Sequence, residues 1–385
     1  MNKKILFLLV TFAIIILTLF GSWFFWYIKP NKPLNIYILD KTVPTIERTE
    51  HKSFNWVLNH HKYVKPNGNL YNVNKDYYGF FPLSTKSREF DFKSLRIHEV
   101  KDAALGYDML YYTDTYGVYY NEWYKNQSKD LKINQKVYGG LNQNDYLLLK
   151  EMKGLNKLII TEFNLYDAPT NPLIREKVEV LFGINWSGWT GKYFSSLDTS
   201  KNGIVPKWIV NRYMEHNNNQ WPFKNAGIVL VHKFGTITIL EQGTHLTEEI
   251  PLIISKQETI KKYGVPEIVH YPQWFDITFT GDRNNVPANF KIQVNSKGDS
   301  ILRSYNLKPV FPAVIEHTGD YKFYYFGGDF AENPVNSNTA YFEGYHELMG
   351  LFTGNSYEST RKFYRKFYVP MISEIIDDYY HSLDN

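Results

Sequence analysis

Cysteine is absent from all 385 residues, which excludes disulfides, thiolate catalysis and cysteine-ligated metals. The 11 histidines show no HExxH spacing. His60 and His61 are adjacent, and His317 follows Glu316 in a strand, where neighbouring side chains face opposite sides. No histidine-held metal site and no cofactor is expected. A G-x-S-x-G elbow is also missing, which removes the usual serine-hydrolase arrangement. Gly183, Gly188 and Gly191 imitate a phosphate loop, but Trp189 stands where that loop needs lysine. Excess charge is lacking in the body. Four of the 43 Lys and Arg residues fall within residues 1–32, which carry no acid; the remaining 39 equal the 39 Asp and Glu. A neutral body has no electrostatic footprint for nucleic acid.

Long apolar runs are lacking too, apart from one. Residues 5–28, ILFLLVTFAIIILTLFGSWFFWYI, carry no charge. As a helix they extend about 36 Å, more than the ~30 Å hydrocarbon core of a bilayer. Lys3 and Lys4 precede the run, while Trp23, Trp26 and Tyr27 close it as an interfacial belt before Lys29 and Lys32. A cleaved signal would be shorter and end in small residues. The reading is an uncleaved signal anchor over residues 1–32, with the lipid bilayer as partner. The protein is then a single-pass protein of the cell membrane, with its large domain extracytoplasmic. Aromatics, in contrast, are abundant, with 31 Tyr and 26 Phe. They suit half-buried strands and a core, or an aromatic-lined groove for a flat ligand such as a sugar.

The body is organised around residues 157–191. Leu158–Thr161 is a short apolar run, as in a strand covered on both faces, and it ends at Glu162. A helix follows, with Asn171 as cap, Pro172 in its first turn and Gly183 past its end. Ile174, Val178, Leu181 and Phe182 form its apolar stripe. Earlier, NIYIL (35–39) ends in Asp40 and MLYYT (109–113) ends in Asp114. A helix containing Phe54, Val57 and Leu58 follows the first, and one around Gln143–Met152 precedes Leu158. Residues 64–100 read as a polar, turn-rich connection. Strands alternating with helices predict a parallel α/β sheet with right-handed crossovers.

Beyond Gly191 the pattern changes. Pro206–Met214 and Glu258–Tyr263 read as helices, and Ile228–His232 with Thr236–Leu240 as a hairpin. Phe275–Phe279, Phe290–Val294 and Ile301–Tyr305 are strand candidates, the last two joined by a turn at Lys297-Gly298. A further hairpin, FPAVIEH-TGD-YKFYYF, leads into Gly327-Gly328-Asp329-Phe330. From Tyr341 the tail is helical, with Phe363, Tyr364, Phe367 and Tyr368 on a stripe that Pro370 interrupts. The expected organisation is an α/β domain over 33–335, flavodoxin-like with antiparallel hairpin additions, and a helical extension over 336–385 packed on it.

The strand order and the late hairpin VIEHTGDYKFYYFGGDF give a chain that resembles the class I glutamine-amidotransferase-like superfamily, including its trehalose-utilisation-like and galactosidase-associated branches. The resemblance covers roughly residues 34–335. It implies that a sharp turn after one strand carries a cysteine nucleophile. The comparable place here is LIITEFN, with Glu162 and Phe163 and no cysteine, so a thiolate glutaminase is excluded.

Asp40, Asp114 and Glu162 are the catalytic candidates, because three acids at neighbouring strand ends face one crevice in such a sheet. They could bind Mg²⁺ or Ca²⁺ or another polar ligand, or act as general acid and base on a glycosidic bond. They could equally cap helices and turns. Asp329 joins the same rim, after glycines that would allow close ligand approach. Trp186 and Trp189, separated by small residues, would stack on sugar faces or plug the sheet edge. Two functions of different class follow. One is a membrane-anchored envelope protein that binds a carbohydrate or envelope proteins; the other is a carboxylate-dependent, glycoside-hydrolase-like enzyme on an envelope polysaccharide.

Overall fold

The computed structural model describes residues 3–124, 135–167, 169–200, 204–351 and 359–383. Parts of the expected tail, 352–358 and 384–385, lie outside them. The chain is a mixed α/β protein with one N-terminal apolar helix, a large mixed sheet and a C-terminal helical tail.

Lys3–Ile28 is a continuous helix, long and apolar enough to cross a membrane. Its side chains are solvent-exposed or partly so until Trp26, which is buried against the body. There the Trp26 indole N–H donates to the Asn59 carbonyl at 3.1 Å, and its ring meets Tyr341 edge-on. Lys62 Nζ donates to the carbonyls of Tyr27 and Lys29, satisfying acceptors at the helix end.

Ten strands form the main sheet. Its five central strands are parallel, in the spatial order Lys322–Phe326, Leu158–Thr161, Met109–Tyr112, Ile36–Asp40 and Tyr78–Ser84. Antiparallel strands extend both edges: Glu89–Lys93 on one side, and Val310–His317, Asn285–Lys291, Leu252–Ser255 and Ile268–His270 on the other. Side chains alternate between the faces. Ile36, Ile38, Met109, Tyr111, Leu158 and Ile160 enter one core, with helix Thr49–His60 and the tail helix Val369–Leu383. Tyr37, Leu39, Leu110, Tyr112 and Ile159 enter the other, beneath Val100–Gly106, Gln143–Gly154 and Pro172–Phe182. The central helix keeps its expected punctuation: the Asn171 side chain accepts from the Leu173 N–H, and Gly183 exits at φ 66°.

A second, wholly antiparallel sheet has the order Ile237–Glu241, Gly227–His232, Ile184–Phe194, Phe275–Thr280. It meets the main sheet where Phe275 pairs with Gly328. A Cβ at Gly328 would lie 2.6 Å from the Tyr271 hydroxyl, so this glycine serves sheet contact rather than ligand approach.

Four expectations are corrected. Residues 64–100 contain two strands of the main sheet, Tyr78–Ser84 and Glu89–Lys93. The first docks because Gly79, at φ 125°, lets its backbone pass Asp40; a Cβ there would sit 1.6 Å from the Asp40 carbonyl oxygen. The Phe290–Val294 strand is instead Asn285–Lys291, one residue pair of which is Phe290 with Phe311. Ile301–Tyr305 is no strand but the end of helix Ser296–Ser304, because Asn295 accepts from the Lys297 and Gly298 N–H groups and starts a helix there. Pro370 does not stop the tail. A π-helical turn over Tyr364–Tyr368 runs directly into Val369–Leu383. The wider turn accommodates a ring that cannot donate to an i−4 carbonyl.

Candidate functional site

The parallel strands end side by side. The Lys41 N–H donates to the Asp114 carbonyl, and the Glu162 N–H to the Tyr112 carbonyl. Loops after four of these strands, together with the second sheet, enclose a cleft of about 480 Å³. Thr42, Asp114, Asn164, Asp167, Asp329 and Glu332 line it from the main sheet side. Glu50 and Glu122 add two more acids. Thr190, His232, Lys233, Trp208 and Trp274 close it from the other. Among the described residues, six carboxylic acids thus face one lysine and one histidine, between two tryptophans.

Of the strand-end acids, Asp114 reaches this space and the other two do not line it. The Asp114 carboxylate accepts from the Tyr116 N–H at 2.7 Å and from the Asn164 amide at 3.1 Å. Burial pushes its pKa up to about 7, against the opposing hydrogen bond from Tyr116. It is poised to change charge near neutrality.

Asp40 lies fully buried beneath the cleft. Its Oδ2 is 2.5 Å from His51 Nδ1, and its Oδ1 accepts from the Thr42 N–H. The other ring nitrogen, His51 Nε2, lies 2.8 Å from the Val73 carbonyl oxygen, so the ring bridges helix and loop. Burial raises the Asp40 pKa, and His51 opposes the rise.

Glu162 is also buried and does not line the cleft. Its carboxylate accepts from the Tyr111 hydroxyl and from the Ala331 N–H, the latter at 3.0 Å. The Tyr111 hydroxyl also meets that of Tyr368, on the tail. Burial pushes Glu162 up to about 8. The acid ties the central strand, the 327–331 turn and the tail together.

Asp329 lines the cleft and shares a hydrogen bond with Glu332; burial, then the Glu332 charge, holds its pKa well above the usual carboxylate range. Burial, then the Asp40 charge, does the same for Glu50. Just behind the cleft is Asp276, which accepts from the Asn164 N–H and from the Tyr325 and Thr190 hydroxyls; burial and then Asp167 raise it to about 8.

Trp186 and Trp189, read either as stacking on sugar faces or as plugging the sheet edge, do not line the cleft. Trp186 and Trp189 belong to strand Ile184–Phe194 and are buried. The Trp186 indole N–H donates to the Trp189 carbonyl, and its face is covered by the Arg175 guanidinium at 4.9 Å. Trp189 packs against His232 and Tyr305. The small residues around them serve sheet packing; a Cβ at Gly191 would meet the Phe275 ring at 2.4 Å. Trp208 and Trp274 take the aromatic positions instead, and Trp208 is 52% exposed.

Sequence reasoning missed Glu50, Glu122, Asp167, Glu332, Trp208 and Trp274. Two signals were present: Asp167 occupies the same post-strand loop as Glu162, and Glu332 follows Asp329 by three positions. Glu50, Trp208 and Trp274 are brought in by tertiary packing alone. Among the described residues, no group of three or more His, Asp or Glu side chains is arranged to hold a metal ion.

No family model and no curated protein matches the chain. Three solved structures are similar in fold. A thua-like protein from Bacteroides uniformis ATCC 8492 shares 9% identity over 82% of this chain and 89% of that one, with a TM-score of 0.36. A second thua-like protein, from Parabacteroides merdae ATCC 43184, shares 8% over 77% and 79%, also at 0.36. The beta-galactosidase from Bacillus circulans sp. alkalophilus shares 8% identity at 0.34, over 78% of this chain and 30% of that one. At such identities and scores the likeness carries no argument about family or activity.

Proposed function

We propose that this protein is anchored in the cell membrane by residues 5–28 and that its extracytoplasmic body binds a carbohydrate in the cleft, without glutaminase chemistry. The observation that carries the reading is the composition of that cleft: carboxyl groups, Asn164, Thr42 and Thr190 around about 480 Å³, with Trp208 and Trp274 at the wall. A sugar presents hydroxyls that donate and accept, and apolar faces that stack on indoles. Carboxyl groups held near neutrality supply both hydrogen-bonding roles, which a set of fully ionised acids would not. The anchor reading is supported by the uncharged helix and its aromatic end.

A second reading, carboxylate-dependent hydrolysis of an envelope polysaccharide, is favoured by one observation. Asp114 at about 7 beside other acids resembles the environment of a general acid. A glycan array followed by a hydrolysis screen, on the full-length chain in neutral detergent, tests both. Retention of a glycan without cleavage supports the binding protein. Product release that Asp114→Asn abolishes supports the enzyme, and silence on every glycan sinks both.

A further inference from the structure

A separate pocket lies between helix Thr49–His60, residues 334–349 and the start of the tail at residues 361–365. It encloses about 210 Å³ between Trp56, Thr339, His346, Arg361, Tyr364 and Arg365. Two of its polar groups are out of water and without a hydrogen-bond partner among the described residues: the Tyr364 hydroxyl and Arg365 Nη1. Tyr364 itself is 5% exposed. Leaving such groups unmatched is costly, most of all for the charged one, so their coincidence in one pocket calls for an acceptor. Both fall within the π-helical turn Tyr364–Tyr368, a distortion often found at functional sites. Arg361, one turn earlier and exposed, adds a second guanidinium at the mouth.

Chain leading into the pocket is tied to the apolar helix. The Glu343 N–H donates to the Ser22 carbonyl of the apolar helix, and the Ser22 hydroxyl donates back to the Glu343 carbonyl. Tyr345, two residues further, lines the pocket. Two residues of chain reach at most about 7 Å, and the headgroup layer is about 5–7 Å thick on each side of the hydrocarbon. Trp23 and Tyr27 follow Ser22 in the helix and are exposed, and such aromatics sit at headgroup level. Glu343 pairs with Lys29. Glu347, the other described acid here, is exposed on helix Tyr345–Leu351.

We propose that Arg365, Tyr364 and Arg361 form a binding site for the phosphate of an anionic lipid headgroup. Arginine matches phosphate oxygens with two parallel N–H bonds, and the tyrosine hydroxyl donates a third. The lipid as source rests on the anchor reading above. A shortened mature N-terminus would sink the anchor alone, whereas failure of the intact full-length chain to bind lipid sinks the pocket.

The test is calorimetric titration of the full-length chain in neutral detergent with three probes: short-chain phosphatidylglycerol, phosphatidylcholine of the same chain length, and inorganic phosphate. Phosphatidylglycerol is expected to bind most tightly. Tyr364→Phe, which removes one oxygen, and Arg365→Gln should each weaken it roughly 10-fold or more. A melting curve on each variant separates lost binding from lost fold, and Arg361→Gln at the exposed mouth gives a variant with little folding risk. Unchanged affinity in folded Tyr364→Phe, equal binding of phosphatidylcholine, or tighter binding of inorganic phosphate than of phosphatidylglycerol would each overturn the proposal.

Discussion

Replacing Glu162 by glutamine separates a structural acid from a ligand-binding one. At pH 6 a carboxyl whose pKa is pushed up to about 8 is protonated. Its O–H then faces the Tyr111 oxygen, while its carbonyl oxygen accepts from the Ala331 N–H. Glutamine reproduces both roles, so Glu162→Gln should match the wild-type protein within about 1 kcal/mol there. Leucine reproduces neither. Glu162→Leu orphans the Ala331 N–H and removes a partner of Tyr111, at a cost of roughly 1–3 kcal/mol, a few degrees in Tm for a chain of this size. The pH dependence has a definite sign. The folded-state pKa lies above the unfolded one, so the folded state binds the extra proton between about pH 4.5 and 8. The stability contributed is fully present below pH 4.5 and is lost as pH rises through 8. Asp114 and Asp276, at about 7 and 8, add slopes of the same sign. Melting curves from pH 5 to 9 should therefore fall for the wild-type protein and fall less for Glu162→Gln, with the variant the more stable above pH 8. A variant that melts far lower at pH 6, with a pH profile parallel to wild type, would refute the reasoning; Glu162 would then be an ionised acceptor.

Four other outcomes are expected. Trp186→Ala should cost roughly 3–5 kcal/mol, read as lost Tm, because it empties a buried indole site rather than a ligand wall. Gly79→Ala should prevent recovery of folded protein, since its Cβ would overlap the Asp40 carbonyl; circular dichroism of any soluble product checks this. Asn171→Ala should lower stability by about 0.5–2 kcal/mol through the lost cap, measurable by urea denaturation. Protease added to intact spheroplasts should degrade the body if it lies outside, and full protection would contradict that orientation.

The architecture was legible wherever local chemistry and tertiary packing agree. Leu158–Thr161 and its helix were marked by an apolar run, a cap, a proline and a glycine, and all four features act as expected. Tyr78–Ser84 was not legible, because its residues read as an aromatic turn-rich stretch and only Gly79's backbone conformation lets it dock. Ser296–Ser304 misled because Gly298, read as a turn, sits inside a helix under the His245 carbonyl. For the site, the strand-end rule located the cleft edge but not which carboxylates turn into it. Asp114 and Asp329 do; Asp40 and Glu162 find partners below, in His51 and Tyr111. Which of the two readings of Trp186 and Trp189 applies was not legible for a similar reason. Strand alternation and a bulge between Trp186 and Thr190 turn both indoles into the interior, while Trp208 and Trp274 arrive from distant segments.

The central claim is that the cleft itself, rather than the acids beneath it, holds a sugar. Its most direct test is titration of the best glycan from the array against four forms of the full-length protein: wild type, Trp208→Ala, Asp114→Asn and Glu162→Gln. Loss of roughly 10-fold or more in affinity is expected for Trp208→Ala and Asp114→Asn, from a lost stacking face and a lost hydrogen-bonding carboxyl. Glu162→Gln should bind as the wild type does. Equal binding by the first two, with loss confined to a folded Glu162→Gln, would contradict the account.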